Sequence, residues 1–361
     1  MNNFFKVLEI FLTLKIDPDH GSLGGIATYT IMNHSRFNDK IRFIINKGLR
    51  VDDVESSHFI KEVKQYGDTL SDLEKVYVNV LDIIFDKQLN INEKLKLSIR
   101  FSGVIKDYSH VFSYVKDRVG EYTLIRTDAY SYPIPIFGKL SFNNLVSSIL
   151  NQRFNYRLEV NVPRGYVVAN VGKQVLHRVS SNRELYVFVS KIPSWRIDVA
   201  ITKFKYLYRE DLDLKIYYLP DDEEYACKIL NALTNCYNYY KSLFGEPIKW
   251  NGYTIIELPE SWGSQADYTG MLLERKSFID PKHIGVYHEL AHLWNVASGE
   301  EYPSRFLDEG FASYFQLLAE KKFIGEQWFV ERINSVHEKI KSLIKNIPKL
   351  SEIPLVDYGK Y

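Results

Sequence analysis

The hydrophobic period of this chain changes abruptly at Leu219-Pro220, and that change constrains the fold more than any other feature. Ahead of it, short apolar runs are separated by turn chemistry, and where they alternate the period is two, that of strands with one buried face. Behind it, apolar residues recur every three to four positions, the period of amphipathic helices. A chain of 361 residues, 45% of them hydrophobic, is also long enough to build two cores. The expected class is therefore multidomain α+β: an N-terminal antiparallel β-sandwich over residues 1–217, then a domain of strands and helices over residues 218–361.

The opening segment sets the pattern of the first half. Leu8, Ile10, Leu12, Leu14 and Ile16 alternate with residues that include Glu9, Thr13 and Lys15, which predicts a strand with one face buried. Charges at Lys6, Glu9 and Lys15, with no small-residue cleavage site behind them, argue against an export signal. Asp17-Pro18-Asp19-His20-Gly21 and Gly24-Gly25 favour chain reversal. Further strands are expected over Ile41 to Asn46, Lys75 to Phe85, Lys94 to Ser102, Leu158 to Val162, Glu184 to Val189 and Ile197 to Leu207. No segment has the roughly 20 uninterrupted apolar residues that would span a bilayer. A net charge of +1, from 46 basic against 45 acidic residues, supplies no field for steering nucleic acid or anionic membrane. Only Cys227 and Cys236 are present, which argues against a disulfide framework and predicts a reducing, cytoplasmic setting.

In the second half, Asp221, Asp222, Glu223 and Glu224 are the acidic opening of a helix running to about Phe244, with Gly245 as its stop. Ile229, Leu230, Leu233, Cys236, Tyr237, Tyr240 and Phe244 form its apolar stripe, and both cysteines are expected in the core. Strands are predicted near Tyr253 to Leu258 and over Gly270 to Phe278, with a polar loop around Trp262-Gly263-Ser264 between them. Three helices then start near Pro281, Ser304 and Glu326, with Asp280 capping the first.

That first helix contains His288-Glu289-Leu290-Ala291-His292. The spacing sets two imidazoles on one helical face, a turn apart, where both can bind one zinc. Glu289, about 100° round from His288, is placed to take a proton from water at the open metal position. On the next helix, Leu307-Asp308-Glu309-Gly310-Phe311-Ala312 puts the carboxylate of Glu309 among apolar neighbours, where it needs a partner, and zinc is the available one. Asp308 and Ser313 flank it and could orient it. The expected cofactor is one Zn2+ held by His288, His292 and Glu309. The other histidines show no paired metal spacing.

With these motifs the sequence resembles the gluzincin zinc metallopeptidases of the aminopeptidase N family. HELAH matches the family's helix motif, and LDEGFA is similar to its LNEGFA, with 16 residues between His292 and Glu309 where the family spaces them slightly wider. A tightened loop around Gly299 to Ser304 is expected to compensate. The opening strand with DPDHGSLGG, LKLSIRFSG and VPRGYVVANVG resemble the family's saddle-like β domain, and IYYLPDDEEYACKIL the start of its thermolysin-like catalytic domain. The resemblance implies that Glu289 is the general base and that Asp267, aligned on Gly270, stands where the family's GAMEN loop binds the substrate's amino terminus, with one methylene less reach. It also implies that Tyr358, in Asp357-Tyr358-Gly359-Lys360-Tyr361, hydrogen-bonds the oxyanion. The family's large C-terminal helical domain has no counterpart, so a short form is expected, in which a partner chain or oligomer could complete the active site. The implied activity is zinc-dependent hydrolysis of peptides, as an aminopeptidase. The competing reading is a peptide-binding scaffold that keeps the metal with little or no turnover.

Overall fold

The computed structural model describes residues 5–34, 39–108, 119–142, 144–145, 148, 152–247, 250–294 and 306–354. It is a mixed α/β structure with several sheets, divided into two compact units, residues 1–205 and 206–361.

The first unit carries fourteen strands among the described residues: β1 (Phe5–Asp17), β2 (Ser22–Asn33), β3 (Lys40–Asn46), β4 (Leu49–Ser56), β5 (Ile60–Leu70), β6 (Leu73–Phe85), β7 (Lys94–Gly103), β8 (Thr123–Ile125), β9 (Ile134–Ile136), β10 (Asn155–Pro163), β11 (Val167–Ala169), β12 (Lys173–Val179), β13 (Arg183–Val189) and β14 (Val199–Thr202). They form a seven-stranded sheet in the order β12-β13-β10-β1-β2-β7-β4, a four-stranded sheet β5-β6-β3-β9 and a three-stranded sheet β11-β14-β8. Inward residues of all three, among them Leu12, Ile99, Val80, Phe43 and Ile201, join one hydrophobic cluster. The pairing is antiparallel except between β1 and β10, which run parallel from Glu9↔Asn155 to Lys15↔Asn161. Parallel neighbours need a long crossover, and the chain between these two strands supplies it.

Two expectations for this unit need correction. Leu8 is only half-buried, because a bulge between Val7 and Glu9 shifts the register and turns Phe5 and Val7 inward instead. The apolar run Ile197 to Leu207 is not one strand. It divides into β14, in the three-stranded sheet, and β15 (Lys205–Arg209), in the sheet of the second unit.

The second unit is built on a five-stranded sheet, β15-β16-β17-β19-β18, with β16 (Leu214–Tyr218), β17 (Tyr253–Leu258), β18 (Gln265–Asp267) and β19 (Gly270–Glu274). Strands β16, β17 and β19 are parallel, and β18 pairs antiparallel at the edge. Since β15 and β16 precede Leu219-Pro220, the change of hydrophobic period marks the first helix of this unit rather than its beginning. That helix, α1 (Glu223–Phe244), ends at Gly245, whose φ of 82° suits a residue without Cβ. Helices α2 (Ile284–Ala291), α3 (Phe311–Phe323) and α4 (Glu326–Asn346) follow. Ile229, Leu233, Cys236 and Tyr240 of α1 pack with Val286 and Leu290 of α2, Ala312, Phe315 and Ala319 of α3, and Ile216, Ile255 and Met271 of the sheet. The Tyr240 hydroxyl donates to the carbonyl of Tyr287 at 3.0 Å and ties α1 to α2.

Cys236 is buried but Cys227 is exposed, against the expectation that both lie in the core. At about 100° per residue their spacing carries them to opposite faces of α1. The predicted strand Gly270 to Phe278 stops at Glu274, and Arg275–Phe278 form one helical turn. The neighbouring strand ends where Leu258 meets Glu274, so beyond it no ladder partner remains and the backbone closes its hydrogen bonds locally.

Candidate metal centre

The two imidazoles come from a short helix whose start is fixed by a carboxylate. Asp280 accepts the amides of Lys282 and Ile284 at 3.0 and 3.2 Å from the turn ahead of α2, but the capping position is His283, so neither Asp280 as cap nor Pro281 in the first turn holds. Val286, Tyr287, Leu290 and Ala291 are buried and hold α2 against the core, which leaves His288 and Glu289 half-exposed on the helix. His292 opens a 3-10 turn, His292–Trp294, at the end of α2. The two rings stand 5.1 Å apart between centroids and nearly perpendicular.

Glu309 arrives from the other side on a π-helical turn, Phe306–Gly310, that leads directly into α3. Buried Ala312 and Phe315 anchor this segment, in keeping with the apolar neighbours that single it out in the sequence. The loop Gly299 to Ser304 lies outside the described residues. His288, His292 and Glu309 each offer a ligand atom within 4.8 Å of the other two. His288 Nε2 is 3.2 Å from Glu309 Oε2. Two donors at bonding distance from one tetrahedral zinc stand about 3.3 Å apart, so this spacing fits the ion.

The outer nitrogens complete the fit. His288 Nδ1 lies 2.9 Å from Gln316 Oε1, and His292 Nδ1 lies 3.1 Å from Asp308 Oδ1. Both partners can accept, so a proton on each Nδ1 would leave Nε2 as the lone-pair atom of the ring, the arrangement that orients metal-binding imidazoles. Asp308 therefore pairs with His292. Burial works to lower the His288 pKa, but the hydrogen bond to Glu309 and the charges of Glu289 and Glu309 outweigh it, and the net direction is upward. A cation between His288 and Glu309 would take over the role of that proton.

Gln316 is the residue that sequence reasoning missed. It follows Glu309 by two helical turns and sits on the buried stripe of Ala312, Phe315 and Ala319, so a polar side chain on an apolar face was the available signal. Asp267 ends β18 and pairs with Gly270 across a tight hairpin through Tyr268 and Thr269, so it lies on an edge strand rather than in a loop. It is half-buried, and its Oδ1 accepts the Tyr268 amide at 2.8 Å. Tyr358 lies outside the described residues.

No family model matches the sequence. Among curated proteins, the chain is 23% identical over 223 residues to the glutamyl aminopeptidase of Sus scrofa, a match covering 55% of this chain and 24% of the relative. It is 22% identical over 188 residues to the glutamyl aminopeptidase of Homo sapiens, covering 46% of this chain and 20% of the relative. The matched stretches thus span about a quarter or less of those proteins. Among solved structures, the M1 zinc metallopeptidase of Deinococcus radiodurans is similar at a TM-score of 0.64 and 14% identity, over 90% of this chain and 73% of that one. Native yeast LTA4 hydrolase is similar at 0.65 and 16%, over 90% of this chain and 50% of that one. The fold is that of the M1 zinc metallopeptidases, and the resemblance to the gluzincin aminopeptidases stands on sequence relatives as well as on architecture. Among the described residues, no helix is long and apolar enough to cross a membrane.

Proposed function

We propose that this chain is a zinc-dependent peptidase of the aminopeptidase kind, with one Zn2+ held by His288, His292 and Glu309. The observation that carries the reading is the convergence of the three ligand atoms within 4.8 Å while both outer imidazole nitrogens are engaged by acceptors. Zinc, when bound, supplies the Lewis acidity that polarises a peptide carbonyl and acidifies water. Glu289, the neighbour of His288 on α2, accepts the proton of the attacking water and returns it to the departing amine. Asp267, beside Gly270 on the edge strand, offers its carboxylate to the free amino group of the peptide. Tyr358 donates its hydroxyl to the oxyanion. The N-terminal sheets with their shared core support a saddle-like sandwich, and the parallel sheet with its helices supports a thermolysin-like catalytic domain.

The test is metal content together with turnover of peptides carrying free or blocked amino termini. One zinc per chain and hydrolysis confined to free termini is the expected result. Cleavage of blocked peptides removes the role given to Asp267. Zinc without turnover replaces the enzyme with a peptide-binding scaffold, and no uptake from zinc-containing buffer removes the metal reading altogether.

A further inference from the structure

The outer nitrogen of His288 is held by an amide, and an amide can be turned either way. If Gln316 presented its Nε2 to the ring, it would require an acceptor at His288 Nδ1 and drive the proton to Nε2, the atom that faces Glu309. What fixes the amide is Glu320, one turn further along α3, which accepts the Gln316 Nε2 hydrogen through Oε1. Glu320 is 0% exposed, and its other oxygen accepts the Trp328 indole at 2.6 Å and faces the Arg332 guanidinium at 3.5 Å, both from α4. Two hydrogen-bond donors and the charge of Arg332 converge on it, so it acts only as an acceptor and cannot allow Gln316 to flip.

We infer that Glu320 is a positioning residue for the metal centre: anchored by Trp328 and Arg332, it sets the orientation of the Gln316 amide and thereby keeps the Nε2 lone pair of His288 available to zinc. The inference rests on the zinc reading above, and it makes α4 part of the site although that helix carries none of the proposed ligands.

The experiment measures zinc affinity of the full chain by competition with a chromophoric chelator, and the tautomer of His288 in metal-free protein by two-bond 15N correlation spectra. Glu320→Leu and Gln316→Leu are each expected to weaken zinc about 10- to 100-fold, and the double variant to be no weaker than either single, because the two act in series. The exchanged pair, Gln316→Glu with Glu320→Gln, restores the polarity of the chain and is expected to recover affinity and the Nδ1-protonated tautomer. Should Glu320→Leu not fold, Gln316→Leu and the exchanged pair still decide. Wild-type affinity in both single variants, additive losses in the double, or an unrescued exchange would overturn the inference. A wild type that binds no zinc overturns the metal reading instead, and the tautomer spectra, which need no metal, then judge Glu320 by themselves.

Discussion

Two clusters of charge in the second unit differ in how they are neutralised. At the end of β17, Asp222 and Glu257 are 2% and 0% exposed, and Arg275 closes on Asp222 with two hydrogen bonds of 2.9 and 3.0 Å. Burial pushes the Glu257 carboxyl up to about 8, against the Leu219 amide that donates to it and with the help of the neighbouring Asp222. This cluster satisfies itself with one cation and one proton. At the candidate metal centre, the Glu309 side chain is 36% exposed and faces His288 Nε2, which can donate to it while Nδ1 keeps its own proton only when the ring is fully protonated. One arrangement is closed, whereas the other sets a partly exposed carboxylate beside two imidazoles, the donor set that a cation would take.

Substitutions can break the comparison. The largest effect is expected from Glu289→Gln, with turnover falling about 100- to 10,000-fold while zinc content stays at wild-type level. Retained turnover would pass the role of base to another carboxylate. Next, Asp222→Asn should cost about 1 to 3 kcal/mol in denaturant unfolding of the second unit, less than a fully buried pair because Arg275 keeps contact with solvent. Glu309→Gln should do the reverse, abolishing tight zinc binding while leaving metal-free stability within about 0.5 kcal/mol. A destabilisation like that of Asp222→Asn would mean that Glu309 belongs to a closed pair after all.

The comparison also has a pH signature. The folded pKa of Glu257 is raised from 4.5 to about 8, so between these values the folded chain holds a proton that the unfolded chain releases. The contribution is fully present below about 4.5 and is lost as the pH rises through about 8. Glu257→Gln should flatten this part of the stability profile, and an unchanged slope would locate the titration elsewhere.

The residues that converge at the candidate site were legible where their geometry is local. The helical spacing of His288 and His292 needs only the pitch of α2, and the apolar surroundings of Glu309 mark its segment as part of the core. Gln316 and Glu320 were not legible, since a buried polar residue reveals its need for a partner but not which ring or helix provides it. The same limit governs the fold. Alternation in β1 is visible in the residues, yet the bulge at Leu8 and the parallel partner β10 depend on strands far along the chain. Cys227 shows that sharing a helix does not mean sharing a face.

The place of β1 between β2 and β10 has a consequence for synthesis. Its hairpin with β2 is complete once residue 33 has left the ribosome, but Asn155, the partner of Glu9, comes much later. At roughly 5 to 20 residues per second, the other edge of β1 waits on the order of ten seconds for β10. An open strand edge in a nascent chain invites pairing with a neighbour on the same message. Lys6, Glu9, Phe11 and Lys15 are the exposed residues of this strand, and the three charges among them make that pairing costly until β10 arrives.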